Sequence, residues 1–205
     1  MKQEYSRHEI EAGIDESGRG PLFGRVYTAC VILPKSSSIS LNPSYIKDSK
    51  KFMSKKKLKE AYDYVIENAL DYSITYCNEK TIDKMNILQA TIHGMHKAIN
   101  GLKIKPDKLL VDGNYFKPYL DESGYIPHIN IKGGDNTYMS IAAASILAKV
   151  SRDEYIDALC HDHPELNERY SILTNKGYGT KKHMDGIKQY GITPWHRLSF
   201  KPCQI

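Results

Sequence analysis

The stretch GIDESGRGPLFG, residues 13–24, decides how the fold is arranged around it. A short apolar strand, Ala12–Asp15, runs directly into a Gly18–Gly20 turn, where glycine can adopt backbone angles that other residues avoid. Asp15 and Glu16 therefore lie at a strand end. Because adjacent side chains of a strand point to opposite faces, both carboxylates can serve one site only if the strand stops or twists there. Two solvent-exposed acids at a turn are the alternative interpretation.

Outward from this stretch, short β-rich runs come first and then alternate with longer helical patterns. We predict strands over residues 12–15, 26–33, 73–77, 109–112 and 126–131. We predict helices over residues 54–70, 81–99, 137–160 and 182–190. This order predicts one α/β unit with a mixed sheet, an early hairpin-like pair and helical crossovers between later strands. Ser140, Ala144 and Ala148, four residues apart, predict close packing of their helix on the sheet.

The composition is typical of a soluble globular protein of one domain. The 205 residues are 40% hydrophobic and 26% charged, and no apolar run approaches the ~18 residues that a membrane span needs. The charged N-terminus, residues 1–11, lacks the apolar stretch of a secretory signal, so we expect a cytoplasmic protein with no membrane segment. The four cysteines are far apart in sequence, which favours reduced thiols over disulfides or a zinc site.

The positive charge is concentrated in one stretch. A net charge of +5 is common among unrelated proteins, but residues 47–59, KDSKKFMSKKKLK, hold seven lysines. Such a local field attracts a phosphate backbone. A solvated helix face explains the same stretch equally well.

Two further acids close segments in the way that Asp15 does. Asp112 follows an apolar run and precedes Gly113, so it ends a strand, where α/β sheets place chemistry. Asp135 precedes a helix, where an N-cap is the alternative role. Carboxylates brought together raise one another's pKa unless cations neutralise them, so a shared cluster is expected to bind Mg²⁺ or Mn²⁺. Two such ions, roughly 3.5–4 Å apart, support phosphodiester hydrolysis.

Five blocks of the sequence together resemble one known family, type 2 ribonuclease H or ribonuclease HII. The blocks are GIDESGRGPLFG (13–24), DSKK (48–51), LLVDG (109–113), KGGDNTYMSIAAASILAKVSRDEY (132–155) and GYGTKKH…YGITPWHRLSF (177–200). They occur in the family's order and span the chain from about residue 12 to about residue 200. The resemblance implies a ribonuclease H-like fold, a mixed five-stranded sheet flanked by helices. It also implies a catalytic core over residues 1–160 and a C-terminal helical extension of the same domain over 161–205.

The resemblance implies an activity and the residues that perform it. The expected enzyme hydrolyses the RNA strand of RNA/DNA hybrids and cuts 5′ of ribonucleotides embedded in duplex DNA, leaving 3′-hydroxyl and 5′-phosphate ends. Two divalent ions, Mg²⁺ or Mn²⁺, would be held by four acids: Asp15, Glu16, Asp112 and Asp135. Asp153 is a weaker candidate, because an Arg-Asp pair within a helix is more often structural. We expect a monomer, with no partner protein evident.

Substrate recognition is assigned by the same resemblance. The backbone of Gly18, Arg19 and Gly20 would approach the ribose 2′-hydroxyl, which separates RNA from DNA at a given sugar. Tyr178 would pack on the sugar after the ribonucleotide; a core or surface tyrosine is its alternative role. Candidate phosphate contacts, which confer affinity but little sequence information, are Lys50, Lys149, Lys181, Lys182 and Arg197. For His183 and His196, local hydrogen bonding is the favoured explanation.

Some positions depart from the family's usual pattern. Ser17, Phe23 and Arg25 are unusual residues around the Gly-Arg-Gly turn, and Gly134 resembles a local addition before Asp135. These departures bear on the shape of the turn and the placing of Asp135. The C-terminal SFKPCQI shows no clamp-binding segment ending in paired aromatics.

Three other functions compete with this interpretation. A catalytically silent nucleic-acid-binding module would use the basic stretch and the aromatics, but it would not need four acids. The sister type 3 ribonuclease H acts on hybrids but poorly on single embedded ribonucleotides, and the GRG turn with the GYGT tyrosine favours type 2. A nucleotide-binding α/β protein would need a GxxxxGK[ST] or GxGxxG motif, and the sequence has neither.

Overall fold

The computed structural model describes residues 1–122 and 124–204. Its strands are β1 (Glu11–Ser17), β2 (Val26–Ile32), β3 (Asp71–Cys77), β4 (Lys108–Asp112), β5 (Tyr119–Asp121), β6 (Gly124–Ile126) and β7 (His128–Ile131). Its helices are α1 (Lys55–Asn68), α2 (Glu79–Met85), α3 (Ile87–Asn100), α4 (Met139–Asp162), α5 (Glu165–Tyr170), α6 (Ile172–Asn175) and α7 (Lys181–Tyr190). Short 3-10 turns cover Ser49–Lys51, Gly134–Asn136 and Lys201–Cys203.

The central sheet has five strands in the order β3-β2-β1-β4-β7. The first three strands are antiparallel neighbours, while β4 runs parallel to β1 and β7 runs parallel to β4. The prediction of a mixed five-stranded sheet with an early hairpin is therefore confirmed. The predicted strand 126–131 is corrected, because Pro127 lacks a backbone N–H and separates β6 from β7. The small β5-β6 hairpin was not predicted.

One predicted helix, 81–99, is two helices in the structure. The break lies at Asn86, a non-glycine residue with φ of 67°, whose side chain accepts a hydrogen bond from the Gln89 N–H and so caps α3. The sequence pattern concealed the break because the apolar periodicity continues across it. None of the helices in residues 1–122 and 124–204 is long and apolar enough to cross a membrane.

The long helix α4 packs directly on β1, as the small residues of its sequence predicted. A Cβ atom added at Gly13 would lie 2.1 Å from the carbonyl carbon of Ser140, so only glycine permits this approach. Ala144 and Ala148 are fully buried in the core between α4, α1 and the sheet. The opposite face of the sheet is covered by α3. The end of β1 is thus fixed against a helix.

The C-terminal helices pack on α4 and on the segment that follows β1. Their apolar cluster joins Leu22 and Phe23 to side chains of α4, α5, α6 and α7, including Ile156, Leu166 and Ile187. Because α4 continues to Asp162, residue 160 does not lie at a boundary between structural elements. The division into residues 1–160 and 161–205 stays a prediction.

Candidate active site

The first three predicted acids lie at the carboxyl ends of two neighbouring parallel strands. In the β1-β4 pair Ile14 is opposite Val111, so Asp15 and Asp112 each follow that pair at the same edge of the sheet. Glu16 comes next on β1. The strand ends open into a cleft of about 440 Å³. The predicted site residues that line it are Asp15, Glu16, Gly18, Arg19, Gly20, Lys50, Asp112, Lys149 and Tyr178.

Burial and like charge act on Asp15 in the same direction. Its side chain is buried, and this burial, followed by the charges of Glu16 and Asp112, raises its pKa well above the usual range. Two hydrogen bonds oppose the shift, one from the Ser145 hydroxyl and one from the Glu16 N–H at 2.7 Å. The carboxylate is held in place, but its charge is not neutralised by the protein.

Glu16 shares this environment, with a cation beside it. Burial raises its pKa, while Arg19, whose guanidinium lies 3.2 Å from a Glu16 carboxylate oxygen, lowers it; the charge of Asp112 adds to the rise. Lys50 also lowers the Glu16 pKa. Even with Arg19 and Lys50 nearby, the net effect is a raised pKa.

Asp135 lies beside Asp112 rather than on the wall of the cleft. It is buried in the 3-10 turn Gly134–Asn136, and burial, then the charges of Asp112 and Asp48, raise its pKa. It does not cap α4, whose N-cap is Tyr138, so the alternative role as an N-cap is wrong.

Gly134 connects the Asp135 turn to Asp112. Its N–H donates to a carboxylate oxygen of Asp112 at 2.7 Å. A Cβ atom at this position would lie 2.5 Å from the Ile141 side chain. The departure from the family pattern therefore brings a backbone donor against an acid of the site.

The sequence did not point to Ser145 and Asp48, two polar residues that contact the acids or their hydrogen-bond partners. Ser145 on α4 donates to Asp15 and shares a hydrogen bond of 3.1 Å with Ser49. Asp48 accepts from the Asn136 side chain, which also donates to Asp135. Asp48 stands in the DSKK block, of which only Lys50 was singled out. Ser145 stands among small residues, whose packing role concealed its hydroxyl.

The donor set suits hard divalent cations, although the residues are not arranged as a closed metal site. In the part of the chain that the structure describes, no group of three His, Cys, Asp or Glu side chains is placed to hold an ion. Asp112 nevertheless raises the pKa of three neighbouring carboxyl groups, those of Asp15, Glu16 and Asp135. Clustered oxygen donors with excess negative charge are the ligands that Mg²⁺ and Mn²⁺ take.

The candidate phosphate contacts fall into different environments. Lys50 is exposed in the cleft, and Lys149 lines it while pairing with Asp153 at 2.7 Å. This pairing gives Asp153 a structural partner. Lys181 lies outside the cleft lining, where its exposed side chain pairs with Asp185 at 2.6 Å. Lys182 is exposed on α7.

Arg197 does not fit its assigned role as a phosphate contact. The side chain is fully buried, and its guanidinium donates to four backbone carbonyls of the β1–β2 loop, residues 18–25. A buried guanidinium cannot reach a phosphate backbone in solvent, so this expectation is corrected. The sequence offered no signal for the contact, because the partners are more than 170 residues away.

The β1–β2 loop places glycine where the backbone requires it. Gly18 has a φ of 97°, and a Cβ atom there would lie 2.2 Å from Nε of Arg152. Gly20 faces Tyr178, whose ring would lie 3.3 Å from a Cβ atom added at Gly20. The Tyr178 side chain is half exposed, so its ring is available at the cleft. The Gly18–Gly20 turn, predicted to approach the ribose 2′-hydroxyl, and Tyr178, predicted to pack on the following sugar, are therefore neighbours.

Phe23 and Arg25, two residues that depart from the family pattern around the turn, both pack against rings of other residues. Phe23 is fully buried and packs edge-on against His183 and His196. The Arg25 guanidinium lies between two rings, 4.0 Å from the centre of Tyr76 and 4.3 Å from that of Tyr155. Both side chains anchor the loop.

The two histidines are satisfied locally, as expected. Their Nε2 atoms are 3.1 Å apart, and each Nδ1 has a partner, the Tyr178 carbonyl for His183 and Thr193 for His196. Burial lowers the pKa of both rings, that of His196 to about 4. Both rings are therefore uncharged at neutral pH, and their hydrogen bonds connect the Tyr178 segment to the Thr193 segment.

Comparison with known proteins identifies the family of this chain. A family model described as ribonuclease HII matches residues 12–203. The chain belongs to the ribonuclease HII family. Ribonuclease HII of Cytophaga hutchinsonii is 45% identical over 204 residues, covering 98% of this chain and 95% of the relative. Ribonuclease HII of Parabacteroides distasonis is 44% identical over 191 residues, covering 93% and 89%. At this level of identity and coverage, the chain is a type 2 ribonuclease H.

Solved structures share the fold of this chain. The crystal structure of ribonuclease H2 from Pyrococcus horikoshii matches with a TM-score of 0.76 and 27% identity, over 95% of each chain. The Archaeoglobus fulgidus ribonuclease HII, described in complex with PCNA, matches with a TM-score of 0.73 and 22% identity over 94% and 95%. Bst-RNase HIII in complex with Mn²⁺ matches with a TM-score of 0.69 and 18% identity over 95% and 68%. The predicted ribonuclease H-like fold is confirmed.

Proposed function

We propose that the protein cuts the RNA strand of RNA/DNA hybrids and also cuts on the 5′ side of a single ribonucleotide embedded in duplex DNA. The products would carry 3′-hydroxyl and 5′-phosphate ends, and the cell would use the reaction to remove ribonucleotides and RNA primers. One observation supports this most. The carboxylates of Asp15, Glu16 and Asp112 share a single cleft with the β1–β2 loop and Tyr178.

The acids are proposed to hold two divalent ions, Mg²⁺ or Mn²⁺. Such ions, when bound, activate water and stabilise the leaving oxygen of a phosphodiester. The Mn²⁺ complex of a structural neighbour makes the same class of ion reasonable here. The chain's own contribution is to fix the ligands: Ser145 and the Glu16 N–H hold Asp15, and the Gly134 N–H holds Asp112.

Recognition is proposed to divide between two kinds of contact. Exposed lysines at the cleft, Lys50 first, attract the phosphate backbone and give affinity for any duplex. The backbone of Gly18, Arg19 and Gly20 reads the ribose 2′-hydroxyl, and Tyr178 packs on the following sugar. We further propose a cytoplasmic monomer that needs no partner protein for cleavage.

The decisive experiment uses a DNA duplex with one ribonucleotide and a long RNA/DNA hybrid of matched length. Each is incubated with the protein and Mg²⁺, Mn²⁺ or a chelator, and the product ends are mapped. We expect metal-dependent cleavage of both, with the first cut on the 5′ side of the single ribonucleotide. Cleavage confined to the long hybrid would refute the proposed substrate, and cleavage in chelator would refute the proposed metals.

A further inference from the structure

The β1–β2 loop is held by two buried guanidinium groups. Arg197 donates to the carbonyls of Gly18 (2.7 Å), Arg19 (3.0 Å), Pro21 (2.8 Å) and Gly24 (2.8 Å). Arg152 donates to the carbonyls of Phe23 and Arg25, each at 3.2 Å.

The backbone of Arg197 adds a further bond to the loop. Its N–H donates to the Leu22 carbonyl at 2.9 Å. Seven of the eight loop carbonyls, all but that of Gly20, thus point into the protein.

Fixing a carbonyl also fixes the N–H group that follows it. In a planar trans peptide, the C=O of one residue and the N–H of the next point in opposite directions. The carbonyls of Gly18 and Arg19 point inward to Arg197, so the N–H groups of Arg19 and Gly20 point away from it. Arg19 and Gly20 are exposed and line the cleft, and none of the described residues accepts a hydrogen bond from either N–H.

We propose that Arg197 is a positioning residue for substrate selection, which aims the Arg19 and Gly20 N–H groups into the cleft through the carbonyls it binds. The C-terminal extension thereby sets the preference for a ribose over a deoxyribose. This inference rests on the proposed function, because it assumes that the loop reads the 2′-hydroxyl.

Lysine cannot replace this guanidinium. Arginine presents five donors in a rigid planar fork, whereas the lysine ammonium is a compact point charge with three donors. R197K therefore keeps the charge and the approximate length but cannot span four carbonyls. The loop would remain closed by Arg152 and by backbone bonds to Gly177 and Trp195. Only the aim of the two N–H groups would be lost.

The test measures equilibrium binding in chelator, so that no cleavage occurs. Fluorescence anisotropy gives the dissociation constants of an all-DNA duplex and of the same duplex with one ribonucleotide. For R197K we expect the preference for the ribonucleotide duplex to fall about tenfold, the cost of one misaligned hydrogen bond. Affinity for the all-DNA duplex should change less than about twofold, because phosphate contacts supply it. In cleavage assays kcat/KM for the single-ribonucleotide duplex should fall at least about tenfold, because the lost contact weakens binding of this duplex.

Two further variants separate positioning from general destabilisation. R197Q, which keeps two donors without the charge, should also lose the preference. Ile172→Ala removes a fully buried side chain of the same extension that makes no loop hydrogen bond, so it should lower the melting temperature and leave the preference intact.

Two results would overturn the inference while leaving the proposed function in place. One is a wild-type preference in any folded Arg197 variant. The other is a loss of preference in Ile172→Ala that matches the loss in R197K. If instead the unaltered protein binds the two duplexes equally and does not cut at the ribonucleotide, the proposed function itself fails.

Discussion

The carboxylate end of β1 and the β1–β2 loop are consecutive in sequence but opposite in their electrostatics. Asp15 and Glu16 are buried acids whose pKa is raised, since the nearby cations do not offset burial and mutual repulsion. The loop that follows is held by Arg152 and Arg197, two buried cations from distant segments whose donors bind its backbone carbonyls. The first region is incomplete until it gains positive charge. The second already has its hydrogen-bond partners within the fold.

The largest effect is expected from removing a negative charge at the acidic end of β1. Asp15→Asn keeps the shape and the hydrogen bond from the Glu16 N–H but loses a proposed metal ligand. We expect cleavage of the single-ribonucleotide duplex to fall about a thousandfold or more, equivalent to about 4 kcal/mol of transition-state stabilisation. Single-turnover rates in Mg²⁺ or Mn²⁺ measure the effect. A variant with more than a tenth of the normal rate would exclude Asp15 as an essential ligand.

The same variant should be more stable than the unaltered protein when no metal is present. A carboxyl whose folded-state pKa is raised binds its proton more tightly when folded, so its contribution to stability is greatest at acidic pH and falls as pH rises through the folded pKa. The advantage of Asp15→Asn should therefore grow between about pH 4, the unfolded aspartate value, and neutral pH. Urea unfolding in chelator across this range measures it, and an advantage that shrinks with pH would contradict the burial argument. Added Mn²⁺ should reverse the order by stabilising only the unaltered protein.

Next to the β1–β2 loop, the largest expected loss comes from Tyr178, whose half-exposed ring faces Gly20. Tyr178→Ala removes the surface proposed to pack on the sugar, so the rate on the single-ribonucleotide duplex should fall roughly tenfold, in the range of one stacking contact. Tyr178→Phe is the matched control. It keeps the ring and should retain nearly full activity. Equal losses in the two variants would mean that the hydroxyl, not the ring, makes the contact.

The smallest effect is expected at the rim of the cleft. Lys50→Ala should weaken binding of every duplex a few-fold and reduce the slope of log affinity against log salt by about one. Lys103, exposed just before β4 begins and so at the far end of that strand from Asp112, provides the control. Its alanine variant should leave the salt slope unchanged. A change in ribonucleotide preference in Lys50→Ala would place this side chain in recognition instead.

The acidic end of β1 could be predicted from the sequence far better than the contacts that hold the β1–β2 loop. Asp15 and Asp112 each close a short apolar run beside glycine, and such local patterns specify where a strand ends. Arg197 was misassigned because burial depends on contacts between distant segments, which neither charge nor spacing reveals. The break at Asn86 was missed for a related reason. One residue in an unusual backbone conformation ends a helix without interrupting its apolar pattern.

The glycine at residue 13 also determines how accurately the acidic site can be built. Because Gly13 has no side chain, α4 can contact β1 directly, and Ser145 of the same helix hydrogen-bonds Asp15. A single methyl group inserted at this interface would wedge helix and strand apart, two positions before the carboxylate. The placement of the Asp15 carboxylate therefore depends on a glycine in the interior that carries no functional group of its own.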